Sequence, residues 1–548
     1  MQPMTLAPEC SFKWDGAALG IFLGAIPLAI ALTFATLIAY RWAVGRAMRA
    51  AASEAVPVPE PPTPSLPCRP LEIAIVSPEP AATGAPPSLT ASLQAMRRLS
   101  AVYALAGIAH AVVATALLFW LNDLAFRPFR TLAVCTVFAW PVAAVLMMTA
   151  DITRRQQVAL ATAYFAFLLL LEIIAEAFHL REHPAFGELF LLWGITMGPP
   201  TAVIALLANR AWRSVGLIAL FVSIVLVAAF LLGFQLLGCM VLTTKSEVLL
   251  ASMTYLRFAI VLGCGVLAWM LLRRAARRYQ AKLTSDQMFA LDSWWLLVTA
   301  LEILFEMGSS SVAGFSFVLA FAAYKILLGA GLRRLHLANL PGKSRSLLLL
   351  RVFGHSQRVR TLADQIGQTW RHAGPLNMIG GTDLATALLE PDELMRFWSG
   401  KLRQGFVASS TDLDKRLQHL DEDPDPDGRC RINEFFCHDN TWRATVRALA
   451  RRSAVVLMDL RGFGRQNRGC EAELAMLLGE VPLARVLLLV DRTTRTAELQ
   501  ELLRSMWNKL PSSSPNRDMT EPVLNLFQIE DAGEALRPLL SRVFAAAA

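Results

Sequence analysis

Charge is scarce in this 548-residue chain: Asp, Glu, Lys and Arg make up 17% of it, against 55% hydrophobic residues. Soluble domains average about 25% charged and 45–50% apolar, so this composition excludes an ordinary soluble protein, and a mean hydropathy of +0.45 points to a lipid bilayer as partner. Paired cysteine is also lacking. The eight Cys are scattered with no CxxC pair, which excludes a zinc ribbon or a disulfide framework, and no metal ligand set is assigned. The third shortage is basic excess in the less apolar part. Lys and Arg outnumber Asp and Glu by 24 to 17 over residues 1–342 but only by 28 to 26 over 343–548. A nucleic-acid-binding domain concentrates its basic excess in the soluble part, so nucleic acid is excluded as a partner.

What the chain does have is long apolar runs. A membrane-spanning helix takes about 20 mostly apolar residues, and nine stretches qualify: 16–40, 101–121, 131–150, 157–178, 186–208, 214–238, 248–272, 288–307 and 311–332. With the N-terminus outside, Lys and Arg fall mainly in the inner loops, as cytoplasmic loops require. The expectation is a multi-pass protein of a bacterial inner membrane with its C-terminal part in the cytoplasm. The expected domains are an N-terminal transmembrane helix (1–50), a Pro-rich linker (51–96), an eight-helix membrane domain (97–342) and a cytoplasmic domain (343–548). Eleven prolines between residues 56 and 88 favour extended chain in the linker over packed structure.

Rare residues repeat in register. Cys135-Thr-Val-Phe-Ala-Trp140 matches Cys264-Gly-Val-Leu-Ala-Trp269, and Leu171-Glu172-Ile173-Ile-Ala-Glu176 matches Leu301-Glu302-Ile303-Leu-Phe-Glu306. The eight helices then read as two tandem four-helix repeats. The pairs Glu172/Glu176 and Glu302/Glu306 are four apart and share a helix face. Two readings stay open for them: a pseudo-symmetric acidic site for a cation or amine, or carboxylates at headgroup level. Gly198-Pro199-Pro200 predicts a kink.

After Arg345 short apolar runs alternate with helical stretches. Leu347–Val352, Leu376–Ile379, Val455–Asp459, Arg485–Asp491 and Val523–Ile529 read as strands, which predicts a five-stranded parallel sheet of flavodoxin-like order. In such a sheet ligands bind beyond the carboxyl ends of the strands. The third strand ends in Asp459, and its loop carries Arg461, Gly462, Gly464, Asn467 and Gly469 before a helix with Cys470, Glu471 and Glu473.

These residues resemble the TIR-like and nucleoside 2-deoxyribosyltransferase-like α/β domains, in which a strand-end Asp, a polar loop and a Gly/Cys–x–x–Glu-Leu helix start present a glutamate to an N-glycosidic bond. The stretch Asp427–Asp491, with DGRCRINEFFCHDNTW, looks like that of bacterial membrane proteins with a TIR-like tail, and the likeness covers about residues 346–530. It implies Glu473 as the catalytic residue, Asp459 and Asn467 as supporting polar groups, and NAD or a nucleotide as ligand. Arg461, Gly469, His438 and Trp442 join the expected ligand contacts. The first strand departs from the family pattern, leaving His355 and Ser356 as substitutes there.

Two functions stand as alternatives: a membrane-tethered signalling sensor or effector that binds or cleaves a nucleotide or self-associates through its cytoplasmic domain, and a transporter or channel with a regulatory tail. Asp423-Pro-Asp425-Pro-Asp427-Gly428 followed by Glu434 also has the spacing of a calcium-binding EF-hand loop. An acidic surface turn explains the same residues, and calcium is not expected.

Overall fold

The computed structural model describes residues 14–50, 69–77, 86–150, 154–179, 215–227 without 217 and 221, 247–306, 311–335, 345–352, 356–381, 389, 391–464, 466–529 and 532–548. The chain divides into two compact units. One comprises Met1–Ile38, Arg98–Leu335 and Glu390–Met395, and the other Ala39–Arg97, His336–Leu389 and Arg396–Ala548.

The first unit is helical. Its helices are α1 (Trp14–Arg49), α2 (Pro87–Leu121), α3 (Pro128–Phe138), α4 (Pro141–Thr149), α5 (Arg154–His179), α6 (Glu247–Gln280), α7 (Asp286–Glu306) and α8 (Ser311–Leu335), of which α1 and α2 also extend into the second unit. Helices α7 and α8 pack along one another, and α7 also meets α4. The core is aromatic: Trp294, Trp295 and Tyr324 are buried, and the Trp294 indole N–H donates to the Pro141 carbonyl at 3.2 Å. Gly107 is required at its position, because a Cβ there would lie 2.5 Å from the Trp295 ring. Large apolar side chains face outward on several helices, including Leu105 and Ile108 on α2, Phe258 and Leu262 on α6, and Ile326 on α8.

The expectation of nine spans is corrected. Among the described residues two helical segments, Gly24–Arg49 and Pro87–Leu121, are long and apolar enough to cross a membrane, or three if the pair α3 and α4 is one bent span. One physical reason is local. Pro141, which has no N–H and clashes with the preceding turn, breaks the run 131–150 with a bend of 48°. In α5 the apolar stretch continues past Leu171 into residues whose side chains lie outside the described ones. The apolar runs of α6, α7 and α8 carry charge within them, Arg257 in α6, Asp292 and Glu302 in α7 and Lys325 in α8, and each reaches residues whose side chains lie outside the described ones. Residues 186–208, with Gly198-Pro199-Pro200, and most of 214–238 lie outside the described residues. The Cys135–Trp140 motif spans the α3/α4 break, whereas its counterpart Cys264–Trp269 lies within the continuous α6.

The second unit is built on one sheet. Its strands are β1 (Glu72–Val76), β2 (Leu347–Arg351), β3 (Leu376–Ile379), β4 (Phe406–Val407), β5 (Ile432–Cys437), β6 (Val455–Asp459), β7 (Val486–Val490) and β8 (Val523–Gln528). They run in the order β1-β8-β7-β6-β2-β3-β5-β4, with every pairing parallel. Parallel sheets need both faces covered. Leu347 and Leu349 of β2 lie in a cluster with α9 (Ser356–Trp370) and α15 (Ala532–Ala546). Leu348 and Leu350 lie in one with α12 (Trp442–Arg452), α13 (Arg468–Glu480) and α14 (Thr496–Trp507).

The five-stranded flavodoxin-like sheet is therefore corrected to eight strands. Strand β1 comes from the Pro-rich segment, where LEIAIV is free of proline, and it pairs with β8. Its approach is held by Trp507 Nε1, which donates to the Arg69 carbonyl at 2.8 Å. Strand β4 is two residues long, too short to leave a periodic signature. Strand β5 carries Asn433 and Glu434 in mid-strand, which hides it from a search for apolar runs.

Leu488, fully buried in β7, touches both neighbours of that strand through its pairings with Met458 and Leu526. Leu488→Ala is expected to lower stability by about 2–5 kcal/mol, read as a lower urea midpoint in the fluorescence of the full-length protein. An unchanged midpoint would contradict this core.

Candidate functional site

The order in which strands are laid across the sheet reverses at β2: the next strand, β3, lies on one side of it, and β6 on the other. Arg351 and Asp459, which end β2 and β6, are register partners. Crevices that bind ligands open at such switch points, beyond the carboxyl ends of the strands.

The loop after β6 is held by its own polar groups. Arg461 donates to Asp459 three times: Nε to Oδ1 at 2.8 Å, Nη2 to Oδ2 at 2.7 Å, and the backbone N–H to Oδ1 at 3.1 Å. Gly462 turns the chain with φ +76°, a conformation that favours glycine. Its N–H reaches Asp491 Oδ1 and Thr494 Oγ1, each at 3.3 Å. Burial would raise the Asp491 carboxyl, but hydrogen bonds from Thr493, Thr494 and Gly462 outweigh it and hold the group below its usual range. Asn467 Oδ1 accepts from the Gly464 N–H at 3.0 Å and closes the loop.

Helix α13 leaves this loop and turns Glu473 inward. Glu473 is 4% exposed, and its Oε2 has no hydrogen-bond partner among the described residues. Burial pushes the carboxyl up to about 8, against an opposing pull from Arg351. At neutral pH Glu473 is mostly a neutral acid. One turn earlier, Cys470 is buried with its thiol raised to about 12, by burial first and then by Glu473. That makes it an inert packing residue.

Glu473 lines a cavity of ≈ 460 Å³ among α12, α13 and the segment from Met506 to Ser513. Trp442 and four cations, Arg443, Arg447, Arg451 and Lys509, line it as well. Glu480 pairs with two of them, at 2.8 Å from Arg447 Nε and 3.0 Å from Arg451 Nη2. Four cations against one ionised carboxylate leave the cavity electropositive. Trp442 supplies a flat face, with the Arg443 guanidinium 5.4 Å from its ring centre. An anion carrying a planar group fits this lining.

The expected site residues part company here. Glu473 and Trp442 meet in the cavity, and Gly469 lies beside it, where a Cβ would approach Trp442 at 3.9 Å. Asp459, Arg461 and Asn467 are spent on the loop rather than turned to a ligand. His438 is elsewhere: its Nδ1 bonds the Ala47 carbonyl at 2.9 Å, and its ring lies 5.1 Å from that of Phe406. In the helical unit, Glu302 sits 3.4 Å from His110 Nε2. The side chains of Glu172, Glu176, Glu306 and Ser356, and all of His355, lie outside the described residues.

The EF-hand spacing is occupied by other bonds. Arg431 grips Asp425 through Nε and Nη2, and Asp427 Oδ1 accepts the Arg429 N–H at 3.2 Å. Among the described residues no group of three or more His, Cys, Asp or Glu side chains is placed to hold a metal ion. Arg351, Arg443, Arg447, Arg451, Glu480 and Lys509 escaped sequence reasoning. Only Arg351 had a signal, as a lone charge closing the apolar strand LLLLR.

Compared with known proteins, the chain matches no family model and no curated sequence.

Two outcomes are expected. Asp459→Ala strands the buried Arg461 charge and should cost about 3–5 kcal/mol of stability, measured by urea unfolding. Because the Glu473 carboxyl titrates higher in the folded than in the unfolded chain, its contribution to stability is full below the unfolded value, near 4.5. It is lost as pH rises towards about 8. Glu473→Gln should flatten that part of the stability–pH curve, and an unaltered slope would refute the assignment.

Proposed function

We propose that this protein is a membrane-tethered effector whose α/β unit binds a nucleoside or nucleotide in the Glu473 cavity and cleaves its N-glycosidic bond. The observation that carries the reading is Glu473 itself. A carboxyl that is buried, neutral near pH 7 and unpartnered at one oxygen, in a cavity lined by an aromatic face and surplus cations, is a costly arrangement that packing does not need. Strongly shifted acids of this kind cluster at functional sites. The likeness of the Asp459–Leu474 stretch to TIR-like and deoxyribosyltransferase-like domains supports the same residue.

In the proposed reaction the base stacks on Trp442 and phosphate oxygens meet the arginines. As the C1′–N bond breaks, its electron pair leaves with the base, which takes the proton of Glu473. The carboxylate so formed stabilises the ribosyl oxocarbenium ion. Water adds to C1′ and returns a proton to Glu473, so the sum is a hydrolysis.

Two apolar helical segments long enough to cross a membrane support the tether. Arg41, Arg46 and Arg49 near the C-terminal end of α1 favour a cytoplasmic location for the chain beyond that helix, in keeping with a bacterial inner membrane.

Purified full-length protein incubated with purine nucleosides, nucleotides and NAD should release free base, and Glu473→Gln should lower the rate by at least about 100-fold. The pH profile separates the substrates. A base that leaves only when protonated needs the acid form, so its rate falls above about pH 8. Nicotinamide leaves NAD without a proton, so a rate that climbs through that pH marks NAD. Absence of both turnover and ligand binding in the wild-type protein would defeat the proposal.

A further inference from the structure

A second cavity, of ≈ 360 Å³, lies within the helical unit among α6, α7, α8 and residues 218 and 222. Most of its lining is apolar, with Leu272, Phe289 and Phe321 as its larger members, but three charges stand among them: Arg278, Asp292 and Lys325. Lys325 Nζ and Asp292 Oδ2 are 2.6 Å apart, and their side chains keep 39% and 29% of their surface exposed. The pair is therefore not sealed by packing. Tyr324 adds a long hydrogen bond to the other oxygen, from OH to Oδ1 at 3.5 Å. Arg278, in the last turn of α6, is exposed on the same cavity.

Two cations against one carboxylate leave a net positive charge in an otherwise oily space. An apolar lining with a few convergent polar groups is the usual make-up of a small-molecule site, and the volume falls in the ordinary range of about 300–1,000 Å³. An apolar ligand would leave the surplus positive charge without a counterpart, and a cation would be repelled. A molecule with an alkyl chain and one anionic head satisfies both parts of the lining.

We propose that this cavity binds a monoanionic amphiphile, its chain among Leu272, Phe289 and Phe321 and its carboxylate or phosphate head on Arg278 and Lys325. The exposed apolar faces of α2, α6 and α8 would keep such molecules at high local concentration. The site is independent of the Glu473 cavity and of the reaction proposed there.

The test is photolabelling of the full-length protein in a neutral detergent with a ten-carbon carboxylic acid bearing a diazirine, followed by peptide mapping. Labelling is expected on α6, α7 and α8 peptides that line the cavity. It should be displaced by decanoate or decyl phosphate, but not by decanol or decyltrimethylammonium. Whichever anion displaces at the lower concentration tells a fatty carboxylate from a lipid phosphate head. Arg278→Gln, at an exposed position, should raise the displacing concentration about tenfold, the scale of one charge-assisted contact. Ala275→Trp, which fills the space, should abolish labelling. Labelling spread over the outer apolar faces and displaced equally by decanol would overturn the proposal. Should either variant fail to fold, the displacement pattern on the wild-type protein decides alone.

Discussion

Arg351 and Asp459 stand side by side at the ends of two central strands, both out of water, and a charge removed from water persists only where the protein supplies a partner. Asp459 finds its partner two residues on, in Arg461. Arg351 donates Nη1 to the Ile379 carbonyl at 2.9 Å, tying β2 to the end of β3. These two solutions shape the carboxyl edge of the sheet: the Asp459–Arg461 chelate sets the course of the loop that feeds α13, and α13 carries Glu473.

Glu473, on the helix that this edge feeds, is resolved differently. It has Arg351 near enough to pull its carboxyl down, but burial wins and the acid stays neutral. Asp459 and Glu473 thus occupy opposite regimes. Asp459 is saturated by a guanidinium, whereas Glu473 keeps an oxygen without a partner beside an electropositive cavity. Chemistry is possible only for the second, because a fully bonded carboxylate has nothing left to offer a ligand.

The helical unit obeys the reverse logic. Its interior holds buried polar and aromatic groups, His110 beside Glu302 and Trp295 against Tyr324, while large apolar side chains such as Leu262 and Ile326 face outward. Exposed apolar surface on this scale marks a face meant for lipid or a partner rather than water. Much of this is legible in the residues alone: the apolar excess calls for a membrane, and the runs LLLLRV and VVLMD are the segments that form β2 and β6. Strands β1, β4 and β5 are not legible, since a strand that leans on neighbours distant in sequence need not be apolar or periodic itself. Nor is the span count, because a run of hydrophobic letters does not say that the chain bends by 48° where α3 gives way to α4.

By itself the sequence determined the apolar excess, the glycine at the turn after Asp459 and the glutamate two turns into the next helix, because local patterning and composition depend only on near neighbours along the chain. Which carboxylates are already satisfied, and which one is held neutral over a cavity, was decided by tertiary structure alone. The partners that make the difference, Arg351 for Glu473, Ile379 for Arg351, and Arg447 and Lys509 for the cavity, come from strands and helices far apart in sequence. Burial and Coulomb interaction act through distance in space, which the order of residues does not record.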